Sequence, residues 1–507
     1  MDQTNAVSIR TYDVVIVGGG IAGISIAELL SRKTKLKIKL IDCADHLGTG
    51  SSGRLEGWFH TGALYSGSDD PQTFMNCVNA VSDLVDNYSG YFQTRCNLQL
   101  RKADQNIWIP GIKAQPNSWF NDDPVHYVLP TAQSPDLKLS KLKNDAILWD
   151  AQRLRVWNRL EAAYGGRHNW YRDGQCTPPT PEDTEAAQYT SHSQKSDVPL
   201  LGEICERFDR SFGIEPSRYE LLRSPDVSMN PDVIMRDLVA SALAHGVEIE
   251  TATTIRQVVT ERHGPISIRG LLTCDQNDRL EYTKARRFIF TVGGGTGSFS
   301  EQLGLRVRLS SLRSQIVVCV PALCNANFVR MAVRENFHFN HFCRVLAAGN
   351  LEGLRYSLLA NSAYTSRSIA TRSRSTDSRD ETVDLTPADN ILDQAARYFG
   401  QETLQNHRLL FYECWKTQVL PGDDRRCYLY WIQDDRQENY LWVLPGKFSF
   451  FPTVAYQVLL RIRDSLKVKE SKDSEPYTPN RQLEERATRL VAAYYPDRLL
   501  AGVALES

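Results

Sequence analysis

The chain has 507 residues, enough for two or three domains on the usual scale of about 100–200 residues each. Hydrophobic residues make up 42% and charged residues 23%, ordinary globular proportions that exclude global disorder, collagen and long coiled coils. With 59 Lys and Arg against 60 Asp and Glu, no net positive field exists to hold nucleic acid or an anionic bilayer.

In chain order, the first predicted element is a strand over 12–17, Tyr-Asp-Val-Val-Ile-Val, a β-branched run of the kind buried on both faces of a parallel sheet. Gly18-Gly19-Gly20-Ile21-Ala22-Gly23 follows and fits G-x-G-x-x-G, and 24–32 reads as a helix. Gly18 permits the tight turn. Gly20, with Ile21 and Ala22, brings the backbone to a pyrophosphate at the helix N-terminus, and Gly23 lets helix pack on strand. A second strand over 36–41 ends in Asp42, followed by Cys43, where a carboxylate can hold an adenosine ribose. Strand, glycines, helix, strand and acid in this order indicate a dinucleotide site.

Residues 48–65 read GTGSSGRLEGWFHTGALY, loop chemistry rather than the further β-α units of a nicotinamide enzyme. With the Ser51-Ser52 pair and His60-Thr61-Gly62-Ala63-Leu64-Tyr65, the sequence resembles the FAD-dependent oxidoreductase superfamily of the D-amino-acid oxidase and glycine oxidase type. In motif it is closest to the FAD-dependent glycerol-3-phosphate dehydrogenase and L-2-hydroxyglutarate dehydrogenase branches. The glycerol-phosphate pattern is Ser-Ser and then His-Gly-Gly-Leu-Arg-Tyr; here Thr61 stands for a glycine and Leu64 for the arginine. The resemblance implies FAD as cofactor, with Ser51, Ser52, Gly53, Arg54, Thr61, Gly62 and Ala63 in the flavin loop.

Further along, helices are predicted over 71–88 and 150–164, flanking a loop-rich stretch, and the Pro-, Thr- and Ser-rich segment 174–197 reads as a surface loop. Asn230-Pro231 opens an amphipathic helix that Gly246 closes, and a strand follows from Val247. In the resembling family this unit completes the FAD domain, and the position of Ile255 packs near the adenine. The strand 288–292 ends in Gly293-Gly294-Gly295, like the family's turn past the pyrophosphate. Strands at 315–321, 354–359 and 408–415 suggest an antiparallel sheet, which in the family roofs the flavin. The arginine-rich stretch 365–381 reads as a solvated loop or an anion or partner contact. Strand, Pro-Gly turn and helix over 440–458 resemble the family's turn at the flavin pyrimidine edge. That likeness implies contacts from Gly446, Lys447, Phe448 and Ser449, where N–H groups meet the negative charge of reduced flavin.

The expected fold is α/β, α+β overall. A Rossmann-type FAD-binding domain is assembled from discontinuous segments 10–66, 200–305 and 435–466, with a helical and loop-rich insertion over 67–199. An antiparallel-sheet substrate domain spans 306–434, and a charged linker and C-terminal helix span 467–507. That helix, predicted over 480–495, serves as a tail or dimer element.

Three side chains are catalytic candidates. His60 follows the flavin loop, where an imidazole can act as base, hydrogen-bond donor or covalent attachment point, or simply hold structure. Arg355, in an apolar roof strand, can clamp a substrate carboxylate or point to solvent. Lys416, ending another roof strand, can meet substrate or the flavin N5 through water. The expected activity is oxidation of a CH–OH or CH–NH group of a small polar substrate by hydride transfer to FAD, with oxygen, a quinone or a protein as electron acceptor. A tailoring enzyme acting on a larger scaffold, and a flavin-containing subunit that docks a partner, are the other readings. No metal is expected, since His338 and His341 lack a supporting ligand set. Eleven cysteines without a C-x-x-C pair and no signal-like N-terminus point to a cytoplasmic protein with reduced thiols and no transmembrane segment.

Overall fold

The computed structural model describes residues 7–65, 71–102, 105–113, 118–130, 190–191, 207, 219–262, 266–304, 309–332, 337–346, 352–361, 366–369, 386–419, 429–434, 438–471 and 480–502. The helix predicted over 150–164, and 174–197 apart from residues 190–191, lie outside them.

The first sheet is built around β1 (Ser8–Val17). Val14 and Ile16 fill one face while Val15 and Val17 fill the other, as a strand buried on both sides requires. It pairs in parallel with β2 (Ile38–Ile41) and β12 (Leu280–Phe290). Beyond β2 lies β9 (Glu248–Glu250), and beyond the end of β12 lies β20 (Tyr440–Leu444), both parallel. β19 (Trp431–Asp434) closes antiparallel on β20, and the β10 (Thr254–Arg262) and β11 (Ile266–Cys274) hairpin runs onto the start of β12. The carboxyl ends of β1, β2, β12 and β20 therefore share one edge, where open α/β sheets bind ligands.

Helices α1 (Ile21–Lys33), α2 (Pro71–Tyr88), α3 (Pro231–Ala244) and α7 (Phe451–Leu466) share one hydrophobic core against this sheet. Within it, Arg32 donates to Glu28 one turn earlier and to the Asn87 carbonyl (2.9 Å), while Ser241 donates to Glu28 (2.9 Å). The buried ion pair thus joins three helices. α4 (Thr296–Leu303) follows the Gly293–Gly295 turn. No helix among the described residues is long and apolar enough to cross a membrane.

The second sheet contains β13 (Leu309–Val320), β14 (Asn327–Ala332), β15 (Phe337–Val345), β16 (Arg355–Asn361), β17 (Ser366–Ile369) and β18 (Arg408–Val419). It continues through β6 (Phe120–Pro130) and β8 (Tyr219–Met229) to β3 (Trp58–Phe59), with β7 (Thr190–Ser191) on β8. Its pairs are antiparallel except β14 with β6. α5 (Thr386–Phe399), followed by short α6 (Gln401–Gln405), packs Ile391, Ala395 and Phe399 onto Val317, Cys319 and Leu359.

Several boundaries differ from the sequence expectation. The insertion over 67–199 is not simply helical and loop-rich: β4 (Gln93–Lys102) and β5 (Gln105–Lys113) form a hairpin, and β6 joins the second sheet. β3 and β8, assigned to the FAD domain, belong to the second sheet, while β19, assigned to the substrate domain, belongs to the first. Part of the arginine-rich stretch is β17, which lines up with β16 along the same edge of β13. The helix predicted over 480–495 stops as α8 (Arg481–Leu490), and α9 (Tyr495–Gly502) follows. Val491 interrupts the helical run because it bridges to Leu47.

Candidate active site

The glycine loop at the end of β1 is shaped for close backbone approach. Gly18 has φ +107°, and a Cβ there would lie 2.7 Å from the Thr291 carbonyl oxygen. At Gly23 a Cβ would fall 1.9 Å from the Gly18 carbonyl oxygen, whereas at Gly20 the nearest atom, Ser52 Oγ, is 3.3 Å away. Gly20 is thus the open side of the turn. Ser52 Oγ accepts from Ile21 N at 3.0 Å, and α1 has no acidic residue in its first turn, which leaves its positive end for an anion. The Thr291 hydroxyl donates to the Gly18 carbonyl at 2.7 Å, so the Gly293–Gly294 turn is held beside the glycine loop. These features fit the pyrophosphate of a dinucleotide.

Asp42 accepts from Gly19 N (2.5 Å) and Ala44 N (2.8 Å), and burial holds its carboxyl above the ordinary value against those two bonds. Its carbonyl accepts from Thr253 N at 3.0 Å, which brings the turn into β10, and Ile255 beyond it, alongside. Cys43 is exposed. The loop from Ser51 to Arg54 reaches across to β18: Ser51 Oγ donates to the Trp415 carbonyl, and Arg54 donates to the Glu413 carbonyl at 3.4 Å. Arg54 also lies 4.1 Å over the Tyr495 ring. Its guanidinium is therefore engaged by the second sheet and the C-terminal segment.

His60 stands where the two sheets meet. β3 pairs with β8, placing His60 beside Asp226, and the His60 N–H donates to Ser449 Oγ at 3.2 Å, which ties it to the turn before α7. That turn depends on Gly446, whose φ is +69° and whose Cβ would lie 2.2 Å from the Leu429 carbonyl oxygen. Phe448 starts the single 3-10 turn that leads into α7. Lys447 reaches back over the Tyr65 ring at 4.8 Å. Gly62, at φ +117°, turns the backbone against Phe74 and Cys77 of α2, and Ala63 begins the short helical turn ending at Tyr65.

Four charged groups gather here. Lys416 Nζ is 4.0 Å from Glu56 Oε2, and His60 Nδ1 is 3.6 Å from Asp226 Oδ2. Burial and then the Lys447 charge push the imidazole down to about 4, against the opposing pull of Asp226 and Glu56. Burial would raise Glu56, but Lys416, its own N–H, His60 and Lys447 outweigh it and hold the carboxyl below its ordinary value. Asp226, buried likewise, is held low by His60, Thr61 and Tyr127. The cluster therefore stores two carboxylates beside a neutral imidazole and two lysines.

Of the catalytic candidates, the structure brings together His60 and Lys416, with Lys447 from the cofactor set, and leaves Arg355 apart. Lys416 is opposite Leu312, whereas Arg355 precedes Ser357, which is opposite Cys319. At about 3.3 Å per residue that places Arg355 roughly 30 Å along the sheet from Lys416. It is exposed at the far end, and the nearby Val345 is exposed as well. Glu56, Asp226, Trp58 and Tyr127 were not singled out from the sequence. His341 has both ring nitrogens bonded, to the Ala326 carbonyl and Ser357 Oγ at 2.8 Å each, and no metal-type cluster occurs among the described residues.

The model of the family "FAD dependent oxidoreductase" (DAO) matches residues 13–426. No curated protein matches. Among solved structures, L-alpha-glycerophosphate oxidase from Mycoplasma pneumoniae with FAD bound is similar at 14% identity and TM-score 0.55, over 93% of this chain and 100% of that one. L-proline dehydrogenase from P. horikoshii gives 13% identity and TM-score 0.55, over 91% and 95%. Glycine oxidase from Geobacillus kaustophilus gives 12% and 0.54, over 93% and 99%. At these identities the likeness is one of fold.

Proposed function

As the chain belongs to the FAD dependent oxidoreductase family and is an enzyme with FAD as its cofactor, we propose that it oxidises a CH–OH or CH–NH group of a small polar substrate. In this reading His60 is the proton acceptor, and Glu56, Lys416 and Lys447 orient the substrate's polar groups. The carrying observation is the convergence on His60 of Asp226 from β8, Ser449 from the turn before α7, and Lys447. Lys447 and Ser449 stand on the turn that follows β20 of the first sheet, and Asp226 on β8 of the second.

FAD, when bound, supplies a two-electron acceptor for the hydride. The protein's own part is proton handling and placement. An imidazole held down to about 4 is neutral at pH 7 and free to accept the O–H or N–H proton as the C–H hydrogen leaves with its electron pair, giving a carbonyl or an imine. Asp226 and Glu56 then face the imidazolium with negative charge. Glu56 also balances Lys416, so the site suits a substrate of mixed charge better than a strongly anionic one. Ser51 and Arg54 fasten the flavin loop to β18, the strand that carries Lys416.

The test is acid precipitation of the purified protein, followed by anaerobic mixing of the holoenzyme with amino acids, hydroxy acids and polyol phosphates. FAD in the supernatant and bleaching by one class of small compound are expected. A flavin that dithionite bleaches but no member of the panel does would overturn the small-substrate reading.

A further inference from the structure

Trp58, His60 and Thr61 lie on one short stretch of chain, and all three turn to a single carboxylate on β8. Asp226 Oδ1 accepts from Thr61 N (2.8 Å) and Thr61 Oγ1 (2.6 Å); Oδ2 accepts from Trp58 Nε1 (2.8 Å) and the Tyr127 hydroxyl (2.6 Å). Oδ2 is also the atom that faces His60 Nδ1, at 3.6 Å. That nitrogen is buried and makes no hydrogen bond. The ring is confined by Trp58, 4.1 Å away between centroids, and by Tyr65 at 5.4 Å. The charged and titratable groups around the imidazole are Asp226 from β8, Glu56 from the loop before β3, Lys447 from the turn before α7, and Tyr65. Of the two carboxylates, Asp226 is the one within ion-pair distance of a ring nitrogen.

We propose that Asp226 is the positioning residue of His60, holding the neutral imidazole in the tautomer with its proton on Nδ1, so that Nε2 carries the lone pair that takes the substrate's proton. Four donors fix the carboxylate and favour its ionised form, and an ionised acceptor beside Nδ1 favours an N–H there. Once Nε2 is protonated, the same carboxylate stabilises the imidazolium. An amide in its place would present a donor to Nδ1 and favour the opposite tautomer.

This inference rests on the reading of His60 as proton acceptor, and two measurements separate the claims. The first is the 15N spectrum of the FAD-loaded protein labelled at histidine, with His60 assigned from the signals lost in His60→Gln. A pyrrole-type Nδ1 and pyridine-type Nε2 are expected, reversed in Asp226→Asn at unchanged FAD content. A pyridine-type Nδ1 in the unsubstituted protein would overturn the proposal, whether or not Asp226→Asn folds. The second is the pH profile of anaerobic flavin reduction by the panel compound that bleaches fastest. Asp226→Asn is expected to lower the plateau rate about 10- to 100-fold with KM within about twofold, and to move the acid limb to lower pH. A folded, FAD-loaded Asp226→Asn with plateau and limb unchanged would overturn it. His60→Gln reducing its flavin at the unsubstituted rate would instead remove Nε2 as the base, and the functional reading with it, while leaving the positioning contact in place.

Discussion

Val491 pairs with Leu47 in a single parallel β-bridge: the Leu47 N–H donates to the Leu490 carbonyl at 2.8 Å, and the Ala492 N–H donates to the Leu47 carbonyl at 3.0 Å. Leu47 is buried and adjoins the glycine turn after β1, since the Gly48 N–H donates to the Gly19 carbonyl at 2.9 Å. At the loop's other end the Tyr494 hydroxyl donates to the Leu55 carbonyl, and Arg54 lies over Tyr495. The C-terminal segment thus grips both ends of the loop between Leu47 and Leu55 from outside the first sheet.

Tyr494→Ala is therefore expected to cost about 3–5 kcal/mol and to speed FAD loss on dilution, seen as a rise in flavin fluorescence. Tyr494→Phe, which keeps the ring in its core, should cost about 1 kcal/mol. Equal FAD retention in Tyr494→Ala and the unsubstituted protein would remove the C-terminal segment from cofactor binding.

The glycine loop separates two kinds of glycine. Gly23→Ala must displace the Gly18 carbonyl and is expected to yield protein with little bound FAD. Gly20→Ala meets only Ser52 Oγ at 3.3 Å and should fold normally, with its defect confined to cofactor affinity. Calorimetric titration of FAD into the two apoproteins checks the order, and tighter binding by Gly23→Ala would contradict it.

Arg355→Ala is expected to leave both KM and the rate of flavin reduction unchanged, because the side chain sits at the far, exposed end of β16. A raised KM in steady-state assays would mean that the substrate extends along the sheet.

The β-α-β turn that carries Gly18, Gly20, Gly23 and Asp42 was readable because it is local, each residue answering to its neighbours in the chain. Helices at Pro71–Tyr88 and Pro231–Ala244 were readable from their apolar period. Arg355 falls far from Lys416 because the pairing of both strands with β13 sets it there, and strand membership alone does not tell which end of a sheet a residue occupies. β6 reads as loop because Asn-Asp-Asp-Pro interrupts it, and its place is set by β8 and β14. Glu56 and Asp226 are far apart in sequence and acquire meaning only where β3 and β8 pair.

Two carboxyls give the fold a pH signature. Burial pushes Asp497 and Asp237 up to about 6, against the bonds from the Tyr356 hydroxyl (2.6 Å) and Trp119 Nε1 (2.8 Å). A folded-state value above the ordinary 3.8 means that the stability from the protonated form is complete below the unfolded value and is lost as pH rises through about 6. Asp497→Asn keeps an acceptor for Tyr356 and removes the titration. It should melt higher than the unsubstituted protein near pH 8, by up to about 2 kcal/mol, with no advantage near pH 4. A difference independent of pH in thermal melts would contradict this.

In the proposed reaction His60 takes the substrate's proton while FAD takes its hydride. Anaerobic stopped-flow reduction of FAD-loaded His60→Gln near neutral pH, by the compound that bleaches the unsubstituted enzyme, tests it most directly. A rate lower by about 10²- to 10⁴-fold at unchanged FAD content is the result expected, and an undiminished rate would contradict the claim.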